Sequence, residues 1–140
     1  MAITVRSGTN LQVEISDGTH LFVADEPKPV GDDAGPSPYD LLLAALGACT
    51  VMTLHMYARR KGWPLQSVET RLSTRKVHAA DFETCEDDPN ARIDLIEREL
   101  VLRGELDDEQ RARLIEIADK CPVHRSLTGE IVVETRVTEQ

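Results

Sequence analysis

The stretch that most constrains this chain is Gly35 to Trp63, GPSPYDLLLAALGACTVMTLHMYARRKGW. From Leu41 to Leu54 it carries no charge, and both of its ends bear helix signals. Ser37 suits the N-cap and Pro38 the first helical position. Asp40 stands three residues after Ser37, the spacing of a capping box. Arg59, Arg60 and Lys61 fall in the last turn, where cations complement the helix dipole. Gly62 is a natural stop and Pro64 prevents continuation. At a rise of 1.5 Å per residue such a helix is roughly 36 Å long. A helix apolar all round is expected to be buried on most sides. The uncharged run falls short of the about 20 residues that a bilayer span needs. The expectation is therefore a core helix with Cys49 near its middle, wrapped by the rest of the chain. For a chain of 140 residues that helix is long; one way to cover it is a second subunit, so an obligate dimer is an expectation.

The remaining segments read in order. Leu11, Val13 and Ile15 alternate with Gln12, Glu14 and Ser16, a half-buried strand. Asp17-Gly18 is a hairpin turn, with Thr19 to Ala24 returning as the partner strand. Residues 26–36, rich in Pro, Gly and Asp, form a loop into the long helix. Beyond it, Val68, Thr70, Leu72 and Thr74 alternate with polar residues, a second half-buried strand. An acidic loop over 78–91 holds Cys85, and Ile93 to Leu102 forms a further strand ended by Gly104. Asp107 and Gln110 have capping-box spacing for a second helix. Leu114, Ile117, Ala118 and Cys121 lie on its buried face, and Pro122 terminates it. Glu130 to Thr138, with Ile131, Val133, Thr135 and Val137 alternating, is the expected closing strand. Hairpins dominate, so the fold class is α+β with largely antiparallel sheets, in one domain over 1–140.

A net charge of -9 gives no basic footprint for nucleic acid and would be repelled by an anionic membrane. The N-terminus, MAITVRSGTN, lacks the basic and apolar regions of a signal peptide, so the expected location is cytoplasmic. The three cysteines, Cys49, Cys85 and Cys121, form no CxxC pair. Buried cysteine usually acts as a small hydrophobe. Small residues flank Cys49 (Gly47, Ala48), leaving room beside its sulfur, and Cys121 sits in Lys120-Cys121-Pro122-Val123-His124-Arg125. A reactive thiol needs cations or donors nearby. Cys49 in mid-helix gains nothing net from the dipole, and Cys121 at a helix C-terminus meets its negative end. An arginine from elsewhere is required, with Arg6 and Arg125 as the candidates. Acids surround Cys85 (Glu83, Glu86, Asp87, Asp88), which makes it an incidental surface thiol. Cys49 and Cys121 with His55 or His124 would suit zinc if the fold gathered them, and a Cys-His hydrolase is open on inventory alone.

The segment Gly35 to Cys49, GPSPYDLLLAALGAC, resembles the first cysteine helix of the OsmC/Ohr family, the osmotically inducible proteins and organic hydroperoxide reductases. Cys121-Pro122 after the second helix resembles the family's second cysteine motif, and the element order fits over the whole chain. Cys-Pro-Val-His is closest to the broad OsmC-like branch. The resemblance implies an OsmC-like fold in an intertwined homodimer, with long helices packed centrally and two interfacial sites. It also implies a two-cysteine peroxidase for organic hydroperoxides, with Cys49 peroxidatic and Cys121 resolving. No bound cofactor is implied. The reductant would be an external dithiol, in the family often lipoyl-linked. The family's reductases place a glutamate ten residues before the first cysteine to hold an activating arginine; here Tyr39 stands there and Asp40 is the nearest acid. Arg6 is the arginine available from the N-terminal strands. The alternative is a protein of the same fold with weak or no peroxidase activity, binding a small apolar or electrophilic molecule in the interfacial pocket.

Overall fold

The computed structural model describes residues 2–84 and 86–138. The chain divides into two compact units, Met1–Ala45 and Leu46–Gln140. The first contains an antiparallel sheet of β1 (Thr4–Ser7), β2 (Val13–Ser16) and β3 (Leu21–Ala24), in that order. Ile15, opposite Val5 and Phe22, is the buried member of the alternating set. Asp17 closes the hairpin by accepting from the backbone N–H groups of Thr19 and His20, at 2.8 and 2.6 Å. The N–H of His20, and then its ring, hold the Asp17 carboxyl down at about 2. The following loop is built around Asp25, only 3% exposed. Its carboxylate accepts from the N–H groups of Glu26, Asp32 and Ala34, at 2.8, 3.1 and 3.1 Å.

Helix α1 runs over Pro38–Lys61, 24 residues. Its start is the predicted capping box: Asp40 N–H donates to Ser37 Oγ (3.2 Å) and Ser37 N–H to Asp40 Oδ2 (3.0 Å). Its end is a Schellman motif, with Gly62 at φ 70°, Trp63 N–H on the Ala58 carbonyl and Gly62 N–H on that of Arg59. Only Leu46, Gly47, Thr50, Leu54 and Ala58 are buried, a stripe recurring at about one turn. Met52 and Met56 are 62% and 61% exposed. The expectation of burial on most sides therefore fails within one chain, because a single layer of partners covers a single stripe. By length and hydropathy (1.7 over its best window) α1 is apolar enough to cross a bilayer, contrary to the reading from the uncharged run alone.

In the second unit, β4 (Leu65–His78) and β5 (Arg92–Gly104) form a long antiparallel hairpin, followed by α2 (Asp108–Ala118) and α3 (Pro122–Thr128). Leu54 of α1 joins Leu114, Ile117 and Ala118 of α2 in the core, with Trp63, Val68, Leu100 and Leu102 packed against them. Asp107 and Gln110 make both bonds of the expected capping box on α2. Gly47 lets α1 approach β4: a Cβ there would lie 2.9 Å from Leu72 Cδ1 and 3.4 Å from Thr70 Cγ2.

Two further expectations are corrected. Glu130 to Thr138 forms no strand, and Ile131, Val132, Val133 and Val137 are 61–89% exposed. An alternating pattern makes a segment sided, but a ladder needs a partner strand, and among the described residues none pairs with it. Cys121 does not end α2. That helix stops at Ala118, and Pro122 opens a separate helix, α3. Proline disfavours α geometry in the residue before it and suits a first helical position, so Cys121 is extended (φ −66°, ψ 145°). Cys85 lies outside the described residues.

Candidate functional site

Cys49 and Cys121 are free thiols, the first half-buried and the second fully buried. Cys49 sits on α1 with Thr53 Oγ1, one turn on, 3.9 Å from its sulfur. Cys121 is the N-cap of α3, and its Sγ accepts from His124 N–H at 3.3 Å. The sulfur therefore caps the start of a helix, where the sequence predicts the end of one.

The two cysteine-bearing elements meet through Thr50, the residue after Cys49. Thr50 is fully buried, and its Oγ1 lies 3.9 Å from Cys121 Sγ. Thr50 donates to the Leu46 carbonyl at 2.7 Å and accepts from Arg98 Nη1 at 3.1 Å. Arg98 reaches in from β5 with its side chain 12% exposed. Its Nη2 donates to Asp119 Oδ1 at 2.9 Å and lies 3.3 Å from His124 Nδ1. A guanidinium can only donate, so Nδ1 of His124 is the acceptor in this contact. One arginine thus ties α1, the end of α2 and α3 together beside Cys121.

A cavity of about 540 Å³ adjoins this cluster. Leu46, Ile93, Ile96 and Leu127 line its apolar part, and Arg98 and His124 contribute polar groups. Neither cysteine is among its lining residues.

The other predicted site residues are placed as follows. Arg6 is exposed on β1, opposite Glu14 in the sheet register. Asp40 is exposed and occupied with the cap of α1. Arg125 is exposed on α3. Among the described residues no group of three His, Cys, Asp or Glu side chains gathers as a metal site, so the zinc arrangement of Cys49, Cys121 and a histidine does not form. Arg98 is the residue that sequence reasoning missed. Its signal is present: in β5 the period of two puts Arg98 on the face of Ile96, Leu100 and Leu102, a charge among core residues.

The OsmC-like protein family matches residues 31–136 of this chain. No curated protein matches. Among solved structures, the chain is similar to an OsmC like protein from Mycoplasma pneumoniae (TM-score 0.72, 18% identity, covering 91% of this chain and 86% of that one). It is also similar to an organic hydroperoxide resistance protein OsmC from Legionella pneumophila (0.65, 18%, 91% and 88%). A third is the organic hydroperoxide resistance protein OhrB of Bacillus subtilis (0.61, 19%, 91% and 90%). At these identities the likeness is one of fold.

Proposed function

The chain belongs to the OsmC-like protein family, and from that premise we propose that it is a thiol-dependent peroxidase acting on organic hydroperoxides. The observation that carries this reading is the contact between Thr50, next to Cys49 on α1, and the sulfur of Cys121, 71 residues away. A two-cysteine cycle requires the elements that carry the two thiols to meet, and this contact supports such a meeting.

In that cycle the Cys49 thiolate attacks the terminal oxygen of the hydroperoxide. The O–O bond breaks, the alkoxide leaves and takes a proton as the alcohol, and Cys49 becomes a sulfenic acid. The Cys121 thiolate then attacks the Cys49 sulfur. An S–S bond forms, the S–O bond breaks, and the oxygen leaves as water with one added proton. An external dithiol, lipoyl-linked or otherwise, returns both thiols by exchange and is itself oxidised to a disulfide. Arg6 is the proposed cation for the Cys49 step, and Asp40 holds the first turn of the helix that carries Cys49.

We also propose a homodimer. The exposed Met52 and Met56 on α1 and the exposed Val132 and Val133 near the C-terminus are the apolar surface it would cover. A reducing cytoplasm suits the two free thiols.

The test is first-turnover chemistry in cysteine variants. Cys49→Ser should abolish hydroperoxide consumption, whereas Cys121→Ser should complete one turnover and stop with a sulfenic acid on Cys49. The reverse pattern would exchange nucleophile and resolver. The cavity beside Arg98 favours a second reading, binding of a small apolar or electrophilic molecule. Thiols that stay reduced under excess hydroperoxide would select it.

A further inference from the structure

We infer that Arg98 and Thr50 form a positioning pair for Cys121, and that attack by the Cys121 sulfur depends on the hydroxyl between them. The inference deepens the two-cysteine reading and rests on it for its physiological meaning.

The hydrogen-bond inventory of Thr50 carries the case. A threonine hydroxyl has one hydrogen and two acceptor sites. The hydrogen goes to the Leu46 carbonyl at 2.7 Å, and Arg98 Nη1–H occupies one acceptor site at 3.1 Å. The remaining site faces Cys121 Sγ at 3.9 Å. With the hydrogen on Leu46, Cys121 S–H is the donor in that contact. Once Cys121 loses its proton the sulfur can only accept. The Thr50 hydroxyl then rotates its hydrogen from Leu46 to sulfur. Leu46 loses little, because a mid-helix carbonyl already receives the N–H four residues on. Arg98 stays bonded to the oxygen in both states, and its charge polarises the O–H toward sulfur.

The sulfur thus meets two donors in its charged state, the Thr50 hydroxyl and the His124 N–H at 3.3 Å. The charged or titratable groups around it are Arg98 from β5, Asp119 after α2, and His124 on α3, all joined by Arg98. From α1 the facing group is the uncharged Thr50. Asp119 is 67% exposed, so water screens it while Arg98 is sheltered.

The experiment uses Cys121 as the sole thiol, in a Cys49→Ser, Cys85→Ser chain, reacting with methyl methanethiosulfonate, a compact reagent suited to a buried sulfur, across a range of pH. Four variants enter that background: Arg98→Met, Arg98→Lys, Thr50→Val and Thr50→Ser. Loss of one charge-assisted contact predicts reaction about tenfold slower near neutral pH for Arg98→Met and Thr50→Val. The deficit should close at alkaline pH, where the thiol ionises unaided. Thr50→Ser should keep most of the rate and Arg98→Lys part of it, with the helical circular dichroism preserved in both. Equal rates in all four, faster reaction, or a slowing that is the same at every pH would overturn the inference. The assay contains no peroxide, so a chain that consumes no hydroperoxide would end the peroxidase reading and leave this result to stand by itself.

Discussion

Replacing Leu54 by alanine tests whether α1, which carries Cys49, is held to α2 through one side chain. Leu54 is fully buried among Leu114, Ile117 and Ala118. The substitution removes three carbons. At about 0.8 kcal/mol per buried methylene the transfer loss is about 2.4 kcal/mol. A cavity left at about 24 cal/mol per Å³ adds on the order of 1–1.5 kcal/mol, because neighbours relax only partly. The expected loss is about 3.5–4 kcal/mol, against a total of about 5–15 kcal/mol for a typical domain. Urea unfolding followed by far-ultraviolet circular dichroism measures it. With a slope of about 2 kcal/mol per M, the midpoint should fall by roughly 2 M at unchanged slope. A loss below about 1 kcal/mol would refute the reasoning, since it would mean that the α1–α2 contact carries little of the fold.

Three further outcomes follow from other parts of the structure. Met52→Ala on the exposed face of α1 should cost under about 0.5 kcal/mol in an isolated chain, whereas in the proposed homodimer it should cost more, with a midpoint that rises with protein concentration; equilibrium sedimentation of Met52→Asp checks the same point. Asp107→Ala removes the capping box of α2 and should cost about 1 kcal/mol, with Asp107→Asn retaining most of it; thermal melts decide between them. Burial alone would raise the Asp25 carboxyl, but the N–H groups of Ala34, Glu26 and Asp32 outweigh it and hold the group below its ordinary value. A depressed carboxyl stabilises the fold above the unfolded value of about 3.9 and loses that contribution as pH falls through the folded value. Asp25→Asn should therefore unfold more easily at neutral pH and show a smaller fall in stability below about pH 4; parallel acid and neutral melts that change equally would contradict this.

What the sequence made legible was local. Both capping boxes, the Asp17-Gly18 hairpin and the stop at Gly62 depend on residues within a few positions of one another, and each is present. The misreadings were of two kinds. At Cys121 the helical spacing correctly puts the sulfur in the core, but Pro122 disfavours α geometry in its predecessor. The thiol therefore stands at the start of α3 and not at the end of α2. For Glu130 to Thr138 the alternation predicts a strand, but pairing is a non-local property that no window of sequence contains. Arg98 illustrates an intermediate case. Its place on the apolar face of β5 was readable from the period of two, while its partners Thr50, Asp119 and His124 come from elements that only the fold brings together.

The central claim is that Cys49 and Cys121 form one redox pair. Intact-protein mass after one equivalent of an alkyl hydroperoxide tests it most directly. The account predicts a loss of about 2 Da, the two hydrogens of a disulfide, within seconds to minutes, mapping on digestion to Cys49–Cys121 with Cys85 unmodified. Unchanged mass, oxidation only over hours, or a disulfide that includes Cys85 would contradict it.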